Sequence, residues 1–369
     1  MPLALYINDN TKKSNLYFKF STIPELGDTY KLELSEALEK EFVMIVDPNS
    51  YDYGDPTTFI SNYWRENLEI AVVAKNELGK VSYRSFSGPR DPKYSEYFSS
   101  FVQIASEFEI PIHGVIHTLG DAFLASDPNY SVHRGGQEIP QFVCPSNTSF
   151  WKYSSTIAKE VGRYSISSLI LDEHYYPRLD YCLCRRCRVE FRKLTGQDHV
   201  DITIEDLISD EDLLFAWTDW RSELLTSSLG EIIDSFKSEQ PDTPIQAVIP
   251  VDPELEWLTG AAMHLGIDFE VFNQLLDGVV LSIMPFSPVY PITNTQSWLE
   301  LVQRIKTVQT KYPNLKVSLL LNGIEQEWDV DWFKDLFKEI KGNKMFGKMG
   351  QGKLFNIKRE LHRGVETHI

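Results

Sequence analysis

Basic charge is what this chain has too little of. Lys and Arg number 36 against 53 Asp and Glu, a formal net charge of −17. Phosphate backbones and anionic bilayers are held by basic surface, so this balance argues against a nucleic-acid partner and against an anionic membrane surface. Long apolar runs are missing too: none approaches the roughly 20 residues of a membrane span. The opening MPLALYINDN has neither a basic stretch nor a small-residue cleavage pattern, so a soluble cytoplasmic protein is expected. No Pro- or Ser-rich linker cuts the chain into independent units. Gly-rich phosphate loops, a G-x-S-x-G elbow and an H-E-x-x-H helix are all absent, which removes the common nucleotide, serine-hydrolase and zincin signatures.

Apolar residues make up 42% of the 369 positions and charged ones 24%, enough to bury a sizeable core. The aromatic share is 12%, on the rich side, and flat apolar faces serve sugars as readily as they fill cores. Short β-branched runs alternate along the chain with longer amphipathic stretches. Strands are expected to begin near residues 42, 69, 112, 166, 244, 277, 315 and 344. Residues 68–85 read as a strand, a Gly-containing turn and a hairpin partner. A long loop follows the third strand to Ser149, and helices fall near 56–66, 91–109, 149–163, 213–241, 254–275, 296–311, 329–342 and 353–363. This rhythm predicts parallel βαβ units closing into a (β/α)8 TIM barrel over residues 41–369. Residues 1–40 would be an N-terminal extension packing on it.

In such a barrel, chemistry collects beyond the C-terminal ends of the strands. Those positions hold Asp47, Asn49, Lys75, Asn76, His117, Asp121, Asp172, Glu173, His174, Tyr175 and Asp252. Met284, Phe286, Tyr290, Asn322, Glu325, Glu327 and Trp328 follow the later strands. Any single carboxylate there can merely cap the next helix. Asp172 and Glu173, directly after the apolar run SLIL, are the favoured catalytic pair, with Glu325 and Glu327 across the ring. Glycosidic hydrolysis needs one protonated carboxyl group to donate to the leaving oxygen and a second, ionised one as nucleophile or base. The expected activity is therefore cleavage of an oligosaccharide, with Glu173 as general acid. His117, Asp121, His174, Tyr175, Tyr176, Phe286, Tyr290, Asn322 and Trp328 are the candidate substrate-binding residues. A non-catalytic carbohydrate-binding barrel is the competing expectation, and a homo-oligomer is possible.

The chain has four cysteines, three of them spaced C-x-C-x-x-C at Cys182, Cys184 and Cys187. Clustered thiols in a chain of this size suggest a metal more than a disulfide framework. Three thiolates suit a structural Zn²⁺, which takes four ligands. The fourth is Cys144, His174 or His199, with Cys144 favoured. Such an ion would staple the loop after strand four.

The segments FVCPSNTSFWKYSSTIAKEV and ISSLILDEHYYPRLDYCLCRRCRVEFRKLTG together resemble hypothetical glycoside-hydrolase-like barrels. Those carry a C-P-x-N segment, a strand ending LD and a C-x-C-x-x-C loop. The cysteine loop is also similar to the zinc-cluster loop of thermophile-type β-galactosidases of the retaining clan. WTDWRSELLTSSLGEIIDSFKSEQP resembles the helix after strand four in those barrels, with Arg221 matching their Arg. The resemblance spans residues 68–250. It implies an acid/base after strand four, at Glu173, and a nucleophile after strand seven, at Glu325 or Glu327. Where the clan has Asn before its acid/base, this chain has Asp172. An Asp-Glu pair also resembles barrels that cleave N-acetylated aminosugar polymers, in which the substrate's acetamido group replaces the nucleophile.

Overall fold

The computed structural model describes residues 3–8, 15–20, 42–49, 54–63, 68–134, 137–196, 202–251, 260–283, 303, 305–321 and 345–348. The chain starts with an antiparallel hairpin of β1 (Leu3–Asn8) and β2 (Asn15–Phe20). The order is then β3 (Phe42–Val46), α1 (Pro56–Tyr63), β4 (Leu68–Lys75), α2 (Tyr97–Glu107), β5 (Ile112–His117) and α3 (Ala122–Ala125). Next come β6 (Ser131–Arg134), β7 (Gln137–Val143), α4 (Thr148–Val161) and β8 (Ser168–Asp172). They are followed by α5 (Arg185–Thr195), α6 (Ile204–Ser209), α7 (Glu211–Lys237) and β9 (Ile245–Val251). A π-helical turn (Ala261–Leu265), α8 (Phe269–Leu275), β10 (Gly278–Ile283), β11 (Lys316–Leu321) and β12 (Met345–Lys348) complete the described order.

Eight of these strands pair in parallel in the order β10-β11-β12-β3-β4-β5-β8-β9, and β9 pairs back onto β10. The curled parallel sheet and its helices are the expected α/β class. The expected helices at 329–342 and 353–363 lie outside the described residues, as does half of 296–311, whose described residues are helical, so the full ring of eight helices stays an expectation. Strands made of Val, Ile and Leu can bury both faces, and here they do. Val43, Ile45, Ala71, Val73, Val115, Ile170, Val248, Val280 and Leu320 form the apolar interior of the curl. The other face of β3, β4, β5, β8, β9, β10 and β11 joins a larger core with the helices.

Towards the N-terminal end, the interior turns polar. His113 lies 2.7 Å from Ser168 Oγ through Nδ1 and 2.6 Å from Glu69 Oε2 through Nε2, so these buried polar groups satisfy one another. Helix starts are marked by their own side chains: Asn147 accepts from Ser149 N, Thr203 and Asp206 form a capping box, and Asp210 accepts from Leu213 N. Among the described residues no helix is long and apolar enough to cross a membrane.

Three local expectations change. Residues 76–91 are a loop with isolated bridges rather than a continuous hairpin strand, because Val81 pairs across the loop with Pro89 and Asp91 as well as lying beside β4. Lys80 N donates to Asn76 Oδ1, and the buried Glu160 carboxylate accepts from Phe86 N and from the hydroxyls of Tyr83, Ser85 and Ser87. The segment expected as a long loop after β5 carries α3 and the β6–β7 hairpin. Over the described part of 254–275, the expected helix is broken by Gly266, which takes φ 70° to end the π-turn before Asp268 caps α8.

Candidate active site and metal centre

Strands β5 and β8 lie in register, with His117 opposite Asp172 at their C-terminal ends. Ile170 faces the apolar interior and Ser168 meets His113, so alternation carries Asp172 to the same inner face. Beyond the strand ends the two chains stay tied. Thr118 N and Thr118 Oγ1 donate to Asp172 O at 2.8 and 3.0 Å, and Leu119 N donates to Glu173 O at 3.2 Å. Glu173 adopts φ 56°, a left-handed conformation that costs a non-glycine residue about 1–2 kcal/mol. Its own N–H donates to Asp172 Oδ1 at 2.7 Å. Its carboxylate turns to the β5 side, where Oε2 lies 2.9 Å from His117 Nδ1. Gly120 leaves room for it: a Cβ there would stand 1.6 Å from Glu173 Oε2. Both carboxylates stay partly exposed, the Glu173 side chain at 20%. Backbone strain held in this way at a strand end is a pointer to function.

A buried ion pair sits behind His117. Lys75 Nζ is 3.0 Å from Asp121 Oδ2 and donates to His117 O at 2.7 Å, which fixes the backbone carrying the histidine. Asp121 also caps α3 by accepting from Leu124 N. Its full burial makes it a strut of the loop, in place of the substrate-binding role expected for it.

His174 and Tyr176 are corrected in the same way. His174 is buried between Trp151 and Phe272, with Nε2 on Leu225 O at 2.9 Å, and burial holds its imidazole down at about 4. Tyr176 is buried beneath the Arg221 guanidinium. Neither offers a face to a sugar. Tyr175 is partly exposed, and burial of its hydroxyl, with the charges of Asp172 and Glu173, pushes the phenol well above its usual range, leaving it a neutral donor.

Sequence reasoning passed over Gly120, Glu77, Leu78 and Phe123. Glu77 Oε2 lies 3.9 Å from His117 Nε2, and Ala122 N donates to Glu77 O, which joins the turn after β4 to α3. Leu78 and Phe123 stay 44% and 53% exposed on that joined surface. Only the Gly in HTLGD, directly after β5, was a signal that could have been read. Phe286, Tyr290, Asn322, Glu325, Glu327 and Trp328 lie outside the described residues.

The four cysteines converge. Cys144 follows β7, Cys182 and Cys184 occupy the turn into α5, and Cys187 sits in the first turn of that helix. All four sulfurs lie within 4.8 Å of one another and are buried. Cys144 Sγ is 3.6 Å from Cys184 Sγ and 3.3 Å from Cys187 Sγ. His174 is not in this group, and His199 lies outside the described residues. Backbone and hydroxyl groups already point at the sulfurs: His133 N donates to Cys182 Sγ, Cys187 N to Cys184 Sγ, and Ser146 Oγ sits 3.2 and 3.3 Å from Cys144 and Cys187. Hydrogen bonds from the other three thiols hold Cys184 well below the ordinary thiol range, while burial pushes Cys182 up. Four buried thiolates brought this close together would require a cation between them. Four sulfur donors with N–H groups aimed at them fit a metal ion of the zinc type.

No family profile matches this chain, and no curated protein matches it. Solved structures do. The glycoside hydrolase domain of PgaB (BpsB) from Bordetella bronchiseptica is similar at TM-score 0.64 and 13% identity, over 86% of this chain and 96% of that one. The catalytic domain of β-amylase from Paenibacillus polymyxa is similar at TM-score 0.58 and 11% identity, over 88% and 99%. The β-galactosidase from the psychrophilic Marinomonas ef1 is similar at TM-score 0.56 and 10% identity, over 84% of this chain and 54% of that one. At these identities the likeness establishes a glycoside-hydrolase-like fold.

Proposed function

We infer that this protein is a glycoside hydrolase acting on an oligosaccharide at the C-terminal end of the β5–β8 pair. One observation carries the reading: Glu173, in a strained left-handed conformation, holds its carboxylate against His117 beside Asp172 at a strand end. The Glu173–His117 pair shares a proton, and Glu173 delivers it to the leaving glycosidic oxygen as general acid. Asp172 faces the interior next to it. In the two-carboxylate form, Glu325 or Glu327 is the nucleophile or base; a separation of about 5–5.5 Å means retention and about 6.5–9.5 Å inversion. The adjacency of Asp172 and Glu173 supports a second form, in which Asp172 orients a substrate acetamido group that attacks in place of the nucleophile. Residues 1–40 pack on a (β/α)8 barrel of residues 41–369. One Zn²⁺ held by Cys144, Cys182, Cys184 and Cys187 staples the loop after β8 and takes no part in the reaction.

The test is turnover of a glycan panel by wild type, Glu173→Gln, Asp172→Asn, Glu325→Gln and Glu327→Gln. Losing the acid lowers turnover by about 10²–10⁴. Full activity in Glu173→Gln ends the assignment, and unaffected Glu325 and Glu327 variants leave only the substrate-assisted form. Glycan binding without turnover identifies a non-catalytic carbohydrate-binding barrel. Elemental analysis of protein purified without added metal finds about one zinc per chain.

A further inference from the structure

Arg221 is a buried cation without a carboxylate. Its side chain is 0% exposed. The guanidinium donates to three neutral carbonyls: Nη1 to Met263 O at 2.8 Å, and Nη2 to Arg178 O at 2.8 Å and His264 O at 3.0 Å. It lies 4.0 Å above the centre of the Tyr176 ring. None of the ion pairs formed among the described residues includes it. A charge taken out of water with only neutral partners is strongly disfavoured, so a counter-charge is to be sought nearby.

A candidate counter-charge is the cysteine cluster at the start of the neighbouring helix α5. Helix α7 packs on α5 through Trp217 and Trp220, whose rings lie 4.9 and 5.6 Å from Phe191. Arg221 stands one turn after Trp217, and Cys187 one turn before Phe191. The Arg178 carbonyl that takes Arg221 Nη2 also takes Tyr181 N at 3.3 Å, the residue directly before Cys182. Tyr176, under the guanidinium, is buried with its hydroxyl unpartnered among the described residues. Burial lowers the Arg221 guanidinium to about 10, against which Tyr176, Cys187 and Cys182 favour its charged form. It is therefore a cation at neutral pH. Four thiolates around a divalent ion carry net negative charge and need one.

The geometry points to Arg221 as the charge-balancing and positioning partner of the metal–thiolate cluster of Cys144, Cys182, Cys184 and Cys187. This rests on the metal reading above and not on the glycosidase reading. The same guanidinium ties Arg178, before the cysteine turn, to Met263 and His264 of the π-turn after β9. Metal occupancy is thereby coupled to the order of two loops. In the metal-loaded protein the buried positive charge is compensated, and in the stripped protein it is not.

The test uses the full chain loaded with zinc, in wild type, Arg221→Lys and Arg221→Gln. Zinc transfer to a chromophoric chelator is followed, together with thermal midpoints of loaded and stripped protein. Arg221→Gln, which keeps hydrogen bonding and loses charge, releases zinc about 10–100-fold more readily. Its stripped form is no less stable than stripped wild type. Arg221→Lys keeps the charge and retains zinc close to wild type. Equal zinc retention in all three, or an equal stability loss with and without zinc, overturns the proposal and leaves Arg221 a tie between carbonyls. Hydrogen exchange in wild type alone gives a second readout that needs no variant to fold. Stripping zinc accelerates amide exchange at 261–266 as well as at the cysteine turn, and unchanged exchange at 261–266 overturns the coupling. A wild type that takes up no zinc sinks the metal reading beneath the proposal, whereas a zinc-loaded protein indifferent to Arg221→Gln sinks the proposal alone.

Discussion

Glu173 lays its carboxylate over Gly120 so closely that a methyl group there would stand 1.6 Å from Oε2. Gly120→Ala must therefore push the carboxylate away from His117, because no real contact survives at that distance. A small-to-large change of this kind costs about 1–3 kcal/mol where the neighbours cannot yield. Glu173 is partly exposed and its side chain can rotate, so the cost is expected at the low end. Turnover should fall towards that of Glu173→Gln while the thermal midpoint moves only slightly. Undiminished turnover in Gly120→Ala would mean that the observed seat of Glu173 is not the one used.

The Lys75–Asp121 pair makes a stability prediction. Both side chains are buried, and Nζ also donates to His117 O. Asp121→Asn keeps an oxygen to cap α3 but leaves Lys75 as a buried charge without its partner. Breaking a buried pair in this way costs about 3–5 kcal/mol. Adding Lys75→Met to Asp121→Asn should recover part of the loss, since no unpaired charge remains, and urea unfolding of the two variants reads the difference. A double variant no more stable than Asp121→Asn alone would refute the pairing.

Much of the scaffold was legible because the strands announce themselves. Runs such as SLIL and VVLSI have no polar positions to spare for a solvent face, so they read as buried parallel strands. The convergence of Cys144 with the C-x-C-x-x-C turn was legible as chemistry, since clustered thiols without disulfides ask for one more ligand. The details around Asp172 were not. Strand alternation stops at Asp172, and the left-handed turn at Glu173 sends His174 and Tyr176 into the outer core. Residue type alone carries no sign of that φ. The 76–91 loop misled because Val81, Ser82 and Tyr83 have strand composition. The structure satisfies their backbone partly outside a hairpin, with Val81 N donating to Pro89 O and Phe98 N to Ser82 O, pairings that local pattern cannot show.

His174 makes a prediction about acid. Its imidazole is buried, Nε2 donates to Leu225 O, and Nδ1 has no partner among the described residues. Burial lowers it from 6.5 to about 4. The folded state therefore keeps it neutral while the unfolded chain takes up a proton below about pH 6.5. Its contribution is fully present above that pH, fades as pH falls towards about 4, and changes no further below, a loss on the order of 3 kcal/mol. His174→Gln keeps a donor for Leu225 O and has nothing to titrate. Its unfolding midpoint should be lower than wild type at about pH 7.5, and the gap should narrow or close by about pH 4.5. Parallel pH profiles for the two proteins would show that His174 is not buried neutral.

Phe123 offers the proposed activity a stacking platform beside His117 and Glu173. Phe123 and Leu78 remain 53% and 44% exposed where α3 meets the turn after β4, with Glu77 on that same turn 3.9 Å from His117. The support beneath is rigid: Lys75 pairs with Asp121, Ala122 N donates to Glu77 O, and Gly79 N donates to Asn76 O. An exposed aromatic on a fixed base beside acid chemistry suits the apolar face of a pyranose ring. Phe123→Ala should raise KM for the cleaved oligosaccharide roughly two- to tenfold, the worth of one stacking contact of about 0.5–1.5 kcal/mol, with kcat little changed. Exposure means that folding stability should shift by no more than about 0.5 kcal/mol. Phe123→Trp should restore KM, and Phe215→Ala, at an equally exposed site on α7, should leave it alone. If Phe123→Ala and Phe215→Ala behave alike while wild type turns the glycan over, the platform is not used and the catalytic reading stands without it.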